Sequence, residues 1–248
     1  MHDCMKQAVF ELIENEAMNP RFSRLSLKGD CSGIEKAGQF VSLSLPDFFL
    51  RRPFSVCDWD EHHFSLIVEQ VGKGTELLRS LQPGAKLDVL TGLGNGFDLT
   101  IAGERPLLIG GGSGVSPLLG LARQLLAREL RPHVILGFAR EEDLILLDDF
   151  FRLGLAPSVT TEDGSFGIRG RVTDGMNLPH TSFYACGPLP MLKAVCEKSI
   201  APGEVSLDAR MGCGFGACMG CTIETAQGPK RVCRDGPVFR KEALLWAG

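Results

Sequence analysis

Three cysteines fall within nine residues in the stretch Cys213-Gly-Phe-Gly-Ala-Cys218-Met-Gly-Cys221, and Cys233 follows after eleven more. Four thiolates in this C-x4-C-x2-C pattern with a distant fourth are the plant-type arrangement for a [2Fe-2S] cluster, a carrier of single electrons. The glycines then have a reason. A loop wrapped around a cluster must turn tightly and point several backbone N–H groups at sulfur, which side chains at Gly212, Gly214, Gly216 and Gly220 would obstruct. Structural zinc also uses four cysteines, usually in two C-x2-C knuckles, and only one such close pair is present. The remaining cysteines, Cys4, Cys31, Cys57, Cys186 and Cys196, read as small apolar residues, with Cys186 the candidate exception.

A carrier of single electrons needs a partner that can exchange them. Arg51-Arg-Pro-Phe-Ser-Val56 places a guanidinium, an aromatic ring and a hydroxyl on consecutive strand positions, able to meet a phosphate, a flat ring and a ring nitrogen. An edge strand with no ligand would look the same. In Val71-Gly-Lys-Gly-Thr-Glu-Leu-Leu78, two glycines and a threonine open a helix, a geometry that offers backbone N–H groups to a pyrophosphate. It also suits a plain glycine turn with Thr75 as N-cap. Gly110-Gly-Gly-Ser-Gly114 follows the apolar strand Leu107–Ile109 and opens another helix, again where a phosphate binds, although Pro117 stands where a G-x-G-x-x-G fingerprint would have its third glycine. Gly187-Pro188 after the strand Phe183–Cys186 marks a second carboxyl edge of the same sheet, where ligands of open α/β sheets collect.

The elements that must position these groups show two textures. Residues 1–100 read as short strands between turns: Val9–Ile13, Phe22–Leu27, Gln39–Leu45, Phe64–Val68 and Leu87–Leu90. Gln39–Leu45 alternates, with Val41, Leu43 and Leu45 on one face and Ser42 and Ser44 on the other, which favours a small antiparallel barrel. After Arg105 the pattern becomes apolar strand, glycine loop, helix: LLIGGGSG then VSPLLGLARQLLARE, HVILGF then EEDLILLDDFF, FYACG then PLPMLKAVCEK. That repeat implies a parallel sheet. From Val205 onward Cys and Gly dominate, as in a small unit held together by what the cysteines bind.

The formal net charge of −4 argues against nucleic acid as the partner. The longest uncharged run, the 17 residues Pro106–Ala122, contains five glycines and two prolines and does not read as a membrane span. The acidic, polar-broken start resembles neither a signal nor a transit peptide, and nine cysteines, an odd count, do not suit a disulfide framework. Both features point to the cytoplasm.

In order, RPFS, GKGT, GGGSGVSPL, YACGP and the cysteine pattern resemble the ferredoxin reductase family. Within it they are similar to the electron-transfer subunits of type B dihydroorotate dehydrogenases. The most specific portion is the C-terminal SLDARMGCGFGACMGCTIE with RVCRDGPVF, since reductases at large do not end in such a cluster. The resemblance covers nearly the whole chain. It implies an antiparallel flavin-binding β-barrel (1–100), a parallel-sheet α/β domain for NAD (101–204) and a [2Fe-2S] unit (205–248). It implies FAD contacts at Arg52, Pro53, Phe54, Ser55, Ile67, Val68, Glu69, Gly74 and Thr75, with Arg52 offsetting diphosphate charge, Phe54 shielding a ring face and Ser55 near the reactive flavin nitrogen. Gly111, Gly112, Ser113, Gly114, Cys186, Gly187 and Pro188 would flank NAD, and Cys213, Cys218, Cys221 and Cys233 would hold the cluster. Two departures from the family pattern are Ser113 in place of an apolar residue and Gly212 in place of alanine.

The implied reaction is a relay. Dihydroorotate reduces FMN on a separate catalytic subunit, in a heterotetramer with two copies of each chain, and the electrons pass through the [2Fe-2S] cluster and FAD to NAD+. No residue of this chain acts on dihydroorotate, because an FMN barrel of about 250 residues would fill its entire length. NAD is expected over NADP, although Arg140, Glu141 and Glu142 offer both signs of charge after the strand ending at Phe138. The segment Met211–Met219, with Phe215, is the expected docking loop. The alternatives are the reductase subunit of another ferredoxin-linked or sulfur-reducing NAD(P)H complex, and a non-catalytic sensor or zinc-stabilised scaffold.

Overall fold

The computed structural model of the chain describes residues 5–246, so Cys4 lies outside the described residues. Six strands, β1 (Lys6–Ala17), β2 (Phe22–Lys28), β3 (Phe40–Leu43), β4 (Arg52–Trp59), β5 (His63–Glu69) and β6 (Lys86–Leu93), close into an antiparallel barrel in the order β1-β2-β5-β4-β3-β6. Alternation along β1 turns Phe10 and Leu12 inward, and a bulge between Leu12 and Glu14 lets this long strand pair with β2 on one side and β6 on the other. Inside, the Phe10 and Phe64 rings meet edge to face with centroids 5.0 Å apart, and Leu25, Leu66 and Val89 complete the fill. The short helix α1 (Lys73–Ser80) drops Leu78 into one end of this core.

On β4, Val56 faces the barrel core while Cys57 faces away from it; on β5, Val68 faces in and Ile67 faces out. The outward residues meet the second layer. That layer is a sheet of seven strands in the order β10-β9-β8-β7-β11-β12-β15, built from β7 (Pro106–Gly111), β8 (His133–Phe138), β9 (Ser158–Thr161), β10 (Ile168–Arg169), β11 (Ser182–Cys186), β12 (Gly203–Ser206) and β15 (Val238–Arg240). All neighbours are parallel except β12 and β15. Helices α2 (Ser116–Leu126), α3 (Leu147–Arg152) and α4 (Leu189–Lys198) cover it, and α2 lies against the barrel. There Gly120 is tight because a Cβ would come within 2.8 Å of the Trp59 ring, and Arg123 reaches Asp58 and the Trp59 carbonyl. Among the described residues no helix is long and apolar enough to cross a membrane.

One expectation needs correction. The run EEDLILLDDFF is helical only over α3, because a short turn at Glu141–Asp143 and a left-handed Leu146 (φ 62°) come first. The division at 204/205 falls inside β12, whose residues pair with β11 and with β15 as one sheet. The C-terminal segment therefore finishes the edge of the seven-stranded sheet, besides forming the small hairpin of β13 (Thr222–Ile223) and β14 (Lys230–Arg231) and the turn of helix α5 (Val232–Asp235).

Asn95 fastens that segment to the barrel. Its side-chain amide donates to the Val238 carbonyl (2.8 Å), its side-chain oxygen accepts from the Val238 N–H (3.1 Å), and its own N–H donates to the Gly236 carbonyl (2.8 Å). An asparagine side chain here imitates a strand neighbour. Asn95→Ala orphans two backbone groups at once and is expected to cost roughly 2–3 kcal/mol. Thermal unfolding checks this, with a fall in Tm of about 5–10 °C and earlier proteolysis after Leu207.

Candidate functional site

The four cysteines of the C-x4-C-x2-C pattern come together, in two pairs. The Cys213 N–H donates to Cys218 Sγ (3.4 Å) and the Cys218 N–H to Cys213 Sγ (3.4 Å), while the Cys233 N–H donates to Cys221 Sγ (3.4 Å). Ala217 N–H (3.2 Å to Cys213 Sγ) and Gly220 N–H (3.5 Å to Cys218 Sγ) add further donors. Burial pushes the Cys213 thiol up, but the N–H groups of Cys218, Phe215 and Ala217 outweigh it and bring it down to about 6. Cys233 goes the other way, to about 12, through burial and the nearby Cys221 and Cys213 sulfurs. Among the described residues no three cysteine, histidine or acidic side chains converge on one point suited to a single ion. Pairs of this kind are what two irons, each held by two protein sulfurs, would use.

The loop is tight around these sulfurs. A Cβ on Gly212 would stand 3.1 Å from Cys218 Sγ, so the glycine found in place of alanine leaves room at that sulfur. Gly214 and Gly216 adopt the left-handed conformation (φ 79° and 91°), and the Arg231 guanidinium holds the Gly216 carbonyl at 2.6 Å. Gly214 rests on the barrel, where its Cβ would lie 3.6 Å from Ser42 Oγ. This covers the β3 face that alternation alone leaves in solvent, and Ser42 is buried. Cys221 and Cys233 are buried against the sheet core, whereas Cys218 is exposed, beside Phe215 (43% exposed) and Met219 (60%).

On the neighbouring strand β4, Ser42 pairs with Pro53, Val41 with Phe54, and Phe40 with Ser55. The cluster loop thus rests on the strand that neighbours the Arg-Pro-Phe-Ser strand in the barrel. Alternation puts Arg52 and Phe54 on one face of β4 and Pro53 and Ser55 on the other, and Phe54 packs partly against the barrel core. Arg52 lies over the Phe48 ring (4.8 Å) and against Gly74, where a Cβ would come within 3.0 Å of its Nε. The glycine and the guanidinium, 22 positions apart in sequence, form one cradle beside the N-terminus of α1, the combination that a diphosphate requires.

The Thr75 hydroxyl is engaged within the turn itself. That oxygen accepts from Val71 N–H (2.9 Å) and Gly72 N–H (3.1 Å) and donates to the Gly72 carbonyl (2.9 Å), which uses all its capacity in the turn. It sits at the third helical position reaching back to a Gly72 N-cap, so the N-cap reading is displaced by three residues. Val68 is enclosed in the barrel core, leaving only its backbone for a ligand, while Ile67 and Glu69 face the sheet.

The third component is a cleft of about 420 Å³ at the carboxyl ends of β7, β8 and β9. Of the residues expected to flank a nicotinamide nucleotide, Gly111, Gly112 and Pro188 line it. Ser113, Gly114, Cys186 and Gly187 do not. Gly114 is glycine for packing, since a Cβ would lie 2.4 Å from the Cys186 carbonyl oxygen. Burial pushes the Cys186 thiol up to about 12, which makes it a poor nucleophile. Arg140, Glu141 and Glu142 stay outside the cleft wall, and Glu162 and Arg171 from the next strand and its loop stand there instead.

A family model for the iron–sulfur cluster binding domain of dihydroorotate dehydrogenase B matches residues 208–245, and one for the oxidoreductase NAD-binding domain matches residues 108–197. The dihydroorotate dehydrogenase B (NAD(+)) electron transfer subunit of Geobacillus thermodenitrificans is 43% identical over 246 residues, 92% of this chain and 95% of that one. The chain belongs to this family of electron transfer subunits. A member from Streptococcus mutans is 38% identical, covering 94% of this chain and 96% of its own. Among solved structures, an NADH-dependent reduced ferredoxin-NADP oxidoreductase studied for flavin-based electron bifurcation superposes with a TM-score of 0.85 at 30% identity, over 96% of this chain and 90% of that one. The ferredoxin NADP+ reductase of Neisseria gonorrhoeae with bound FAD and NADP shares the fold (TM-score 0.67, 20% identity, 78% of this chain and 90% of that one).

Sequence reasoning missed the barrel side of the cleft. Arg21 and Phe22, from the turn into β2, line it with Asp143, to which Arg21 Nη1 donates at 2.9 Å, and no motif joins residues 122 positions apart. The glycines at the other side separate into two kinds by substitution. Gly114→Ala, which drives a Cβ into backbone, is expected to lower stability by about 1–3 kcal/mol. Gly112→Ala meets open space and carries only the strain of φ 54°, about 1 kcal/mol. Thermal melts of both variants check the difference.

Proposed function

We propose that the chain is the nicotinamide-linked half of a two-subunit enzyme. It takes the electrons that a partner subunit draws from dihydroorotate, on the way to orotate in pyrimidine biosynthesis, and delivers them to NAD+ as hydride. The observation that carries this reading is family membership over 92% of the chain, with all four paired thiols inside the iron–sulfur match at 208–245. FAD and a [2Fe-2S] cluster are the cofactors, and when bound the flavin exchanges electrons singly with the cluster and in pairs with nicotinamide.

The duties of the chain's own residues follow from placement. Cys213, Cys218, Cys221 and Cys233 would hold the iron, with backbone N–H groups moderating the sulfur charge. Arg52 and the free N–H groups at the start of α1 would hold the FAD diphosphate, and Ser55, Ile67 and Glu69 would form the wall along the flavin that faces the sheet. Gly111, Gly112 and Pro188 would floor the nucleotide site. The domains are accordingly an FAD barrel, an NAD-binding sheet and a cluster unit sharing that sheet's edge. The partner carries FMN and the site for dihydroorotate, in an assembly of two copies of each chain. The docking face is the exposed loop with Phe215 and Met219 beside Cys218, the most accessible cluster thiol. Unpaired cysteines throughout the described residues support a cytoplasmic setting.

An anaerobic visible spectrum of the purified chain, with iron and flavin quantified on the same sample, tests the cofactor reading. The expected result is one [2Fe-2S] cluster and one FAD per chain, bleached by NADH, with no turnover of dihydroorotate until the partner is added. Zinc without flavin, or orotate formed by the chain alone, would overturn it. Phe215→Asp is expected to weaken assembly at least tenfold while NADH-dependent dye reduction stays intact, and unchanged assembly removes this loop from the interface. The high structural likeness to the NADH-dependent reduced ferredoxin-NADP oxidoreductase favours one second reading, service in another ferredoxin-linked complex. The partner that copurifies, an FMN subunit active on dihydroorotate or a different one, decides between them.

A further inference from the structure

Two polar atoms in the wall of the nucleotide cleft are buried without a hydrogen-bond partner: Asp143 Oδ2 and Thr160 Oγ1. The Asp143 side chain is 6% exposed and Thr160 is fully buried. Asp143 Oδ1 is already occupied, accepting from Arg21 Nη1 at 2.9 Å, and Arg140 Nε stands 3.7 Å from Oδ2, beyond hydrogen-bonding reach. Arg21 has a second role, since its Nη2 donates to Glu69 Oε1 at 2.5 Å on the outward wall of the barrel. One guanidinium thus ties a carboxylate of the barrel to a carboxylate of the cleft.

Buried polar atoms in native structures are almost always satisfied, so two that share the wall of one cleft call for a ligand that satisfies them. A carboxylate accepts and never donates, which excludes phosphate oxygens and selects hydrogen-bond donors. We infer that Asp143 Oδ2 and Thr160 Oγ1 bind the sugar hydroxyls or carboxamide N–H groups of the nicotinamide nucleotide, and that Arg21 is the positioning residue that fixes the Asp143 carboxylate relative to the barrel. This rests on the cleft's being the nucleotide site. It adds an acceptor pair on β9 and after β8 to the glycine loop on β7.

The test uses the full chain loaded with FAD and cluster. NAD+ is titrated calorimetrically, and NADH-dependent dye reduction is followed in parallel. Asp143→Asn keeps the shape and leaves its carbonyl oxygen on Arg21, which presents an N–H2 group where Oδ2 was. The expected result is a rise of roughly 10- to 100-fold in the Kd of NAD+ and the KM of NADH, with flavin content and Tm kept. Arg21→Gln raises the same constants, Arg21→Lys largely restores them, and Asp143→Asn combined with Arg21→Gln adds little further because both act through one carboxylate. Reduced nicotinamide mononucleotide as donor locates the contact: a loss shared with NADH places it on the nicotinamide half, and a loss for NADH alone places it on the adenosine half. Wild-type Kd and KM in Asp143→Asn overturn the inference. If that variant does not fold, Thr160→Val carries the test, and unchanged nucleotide binding there overturns it equally. A wild-type chain that binds no nicotinamide nucleotide removes the cleft reading itself, and this inference with it.

Discussion

A cluster-binding segment of about 40 residues, rich in glycine and thiols, buries too little apolar surface to fold alone, and much of the architecture answers that constraint. The segment takes its core from elsewhere. Val238–Arg240 joins the nucleotide sheet beside β12, Val232 and Phe239 pack with the sheet residues Ile109 and Val205, and Gly214 lies on the barrel at Ser42. Asn95 then locks this borrowed position by behaving as a strand partner for Val238. The cluster segment is thereby held on two layers at once, the sheet edge at β12 and the barrel strand β3 next to the Arg-Pro-Phe-Ser strand.

The same rigidity divides the thiols. Cys221 and Cys233 belong to the shared core and are buried, whereas Cys213 and Cys218 lie on the loop itself, where backbone N–H groups and not packing surround the sulfur. One pair therefore faces the interior of the chain and the other approaches its surface. An electron carrier between two proteins requires such an arrangement, since an outer edge must be reachable by the partner and an inner edge must lie close to the flavin.

The chemistry was more legible in the sequence than the positions of its supports. Cysteine spacing, the glycine loop after β7 and the change from alternating strands to strand–helix repeats are local signals, and local signals survive in a single sequence. Glycine was the ambiguous letter. Gly74 and Gly114 look alike in sequence, yet one makes room for the Arg52 guanidinium and the other for the backbone at Cys186. Thr75 suits a ligand or a cap equally in sequence, and the hydrogen bonds of its hydroxyl lie within the turn. What stayed illegible were contacts fixed only by tertiary folding: Ser42 beneath the cluster loop, the edge strand β15, and Arg21 with Asp143.

Arg21 shows why such contacts carry function. Hydride transfer needs the nicotinamide ring and the flavin ring at near-contact distance, and in the proposed arrangement the two nucleotides belong to different layers of the chain. Apolar packing between the layers, at Cys57, Ile67 and Gly120, resists separation but tolerates sliding, because dispersion contacts have little directional preference. Directional restraint comes from ion pairs with fixed geometry: Arg123 with Asp58, Arg24 with Asp149 at 2.5 Å, and Arg21 with Glu69 and Asp143. Of these, Arg21 and Asp143 stand in the wall of the nucleotide cleft. Of the three guanidinium restraints on the register of the two layers, Arg21 is thus the one that also reaches the cleft, so an exposed arginine in a turn, unremarkable in sequence, joins the barrel wall at Glu69 to the cleft wall at Asp143.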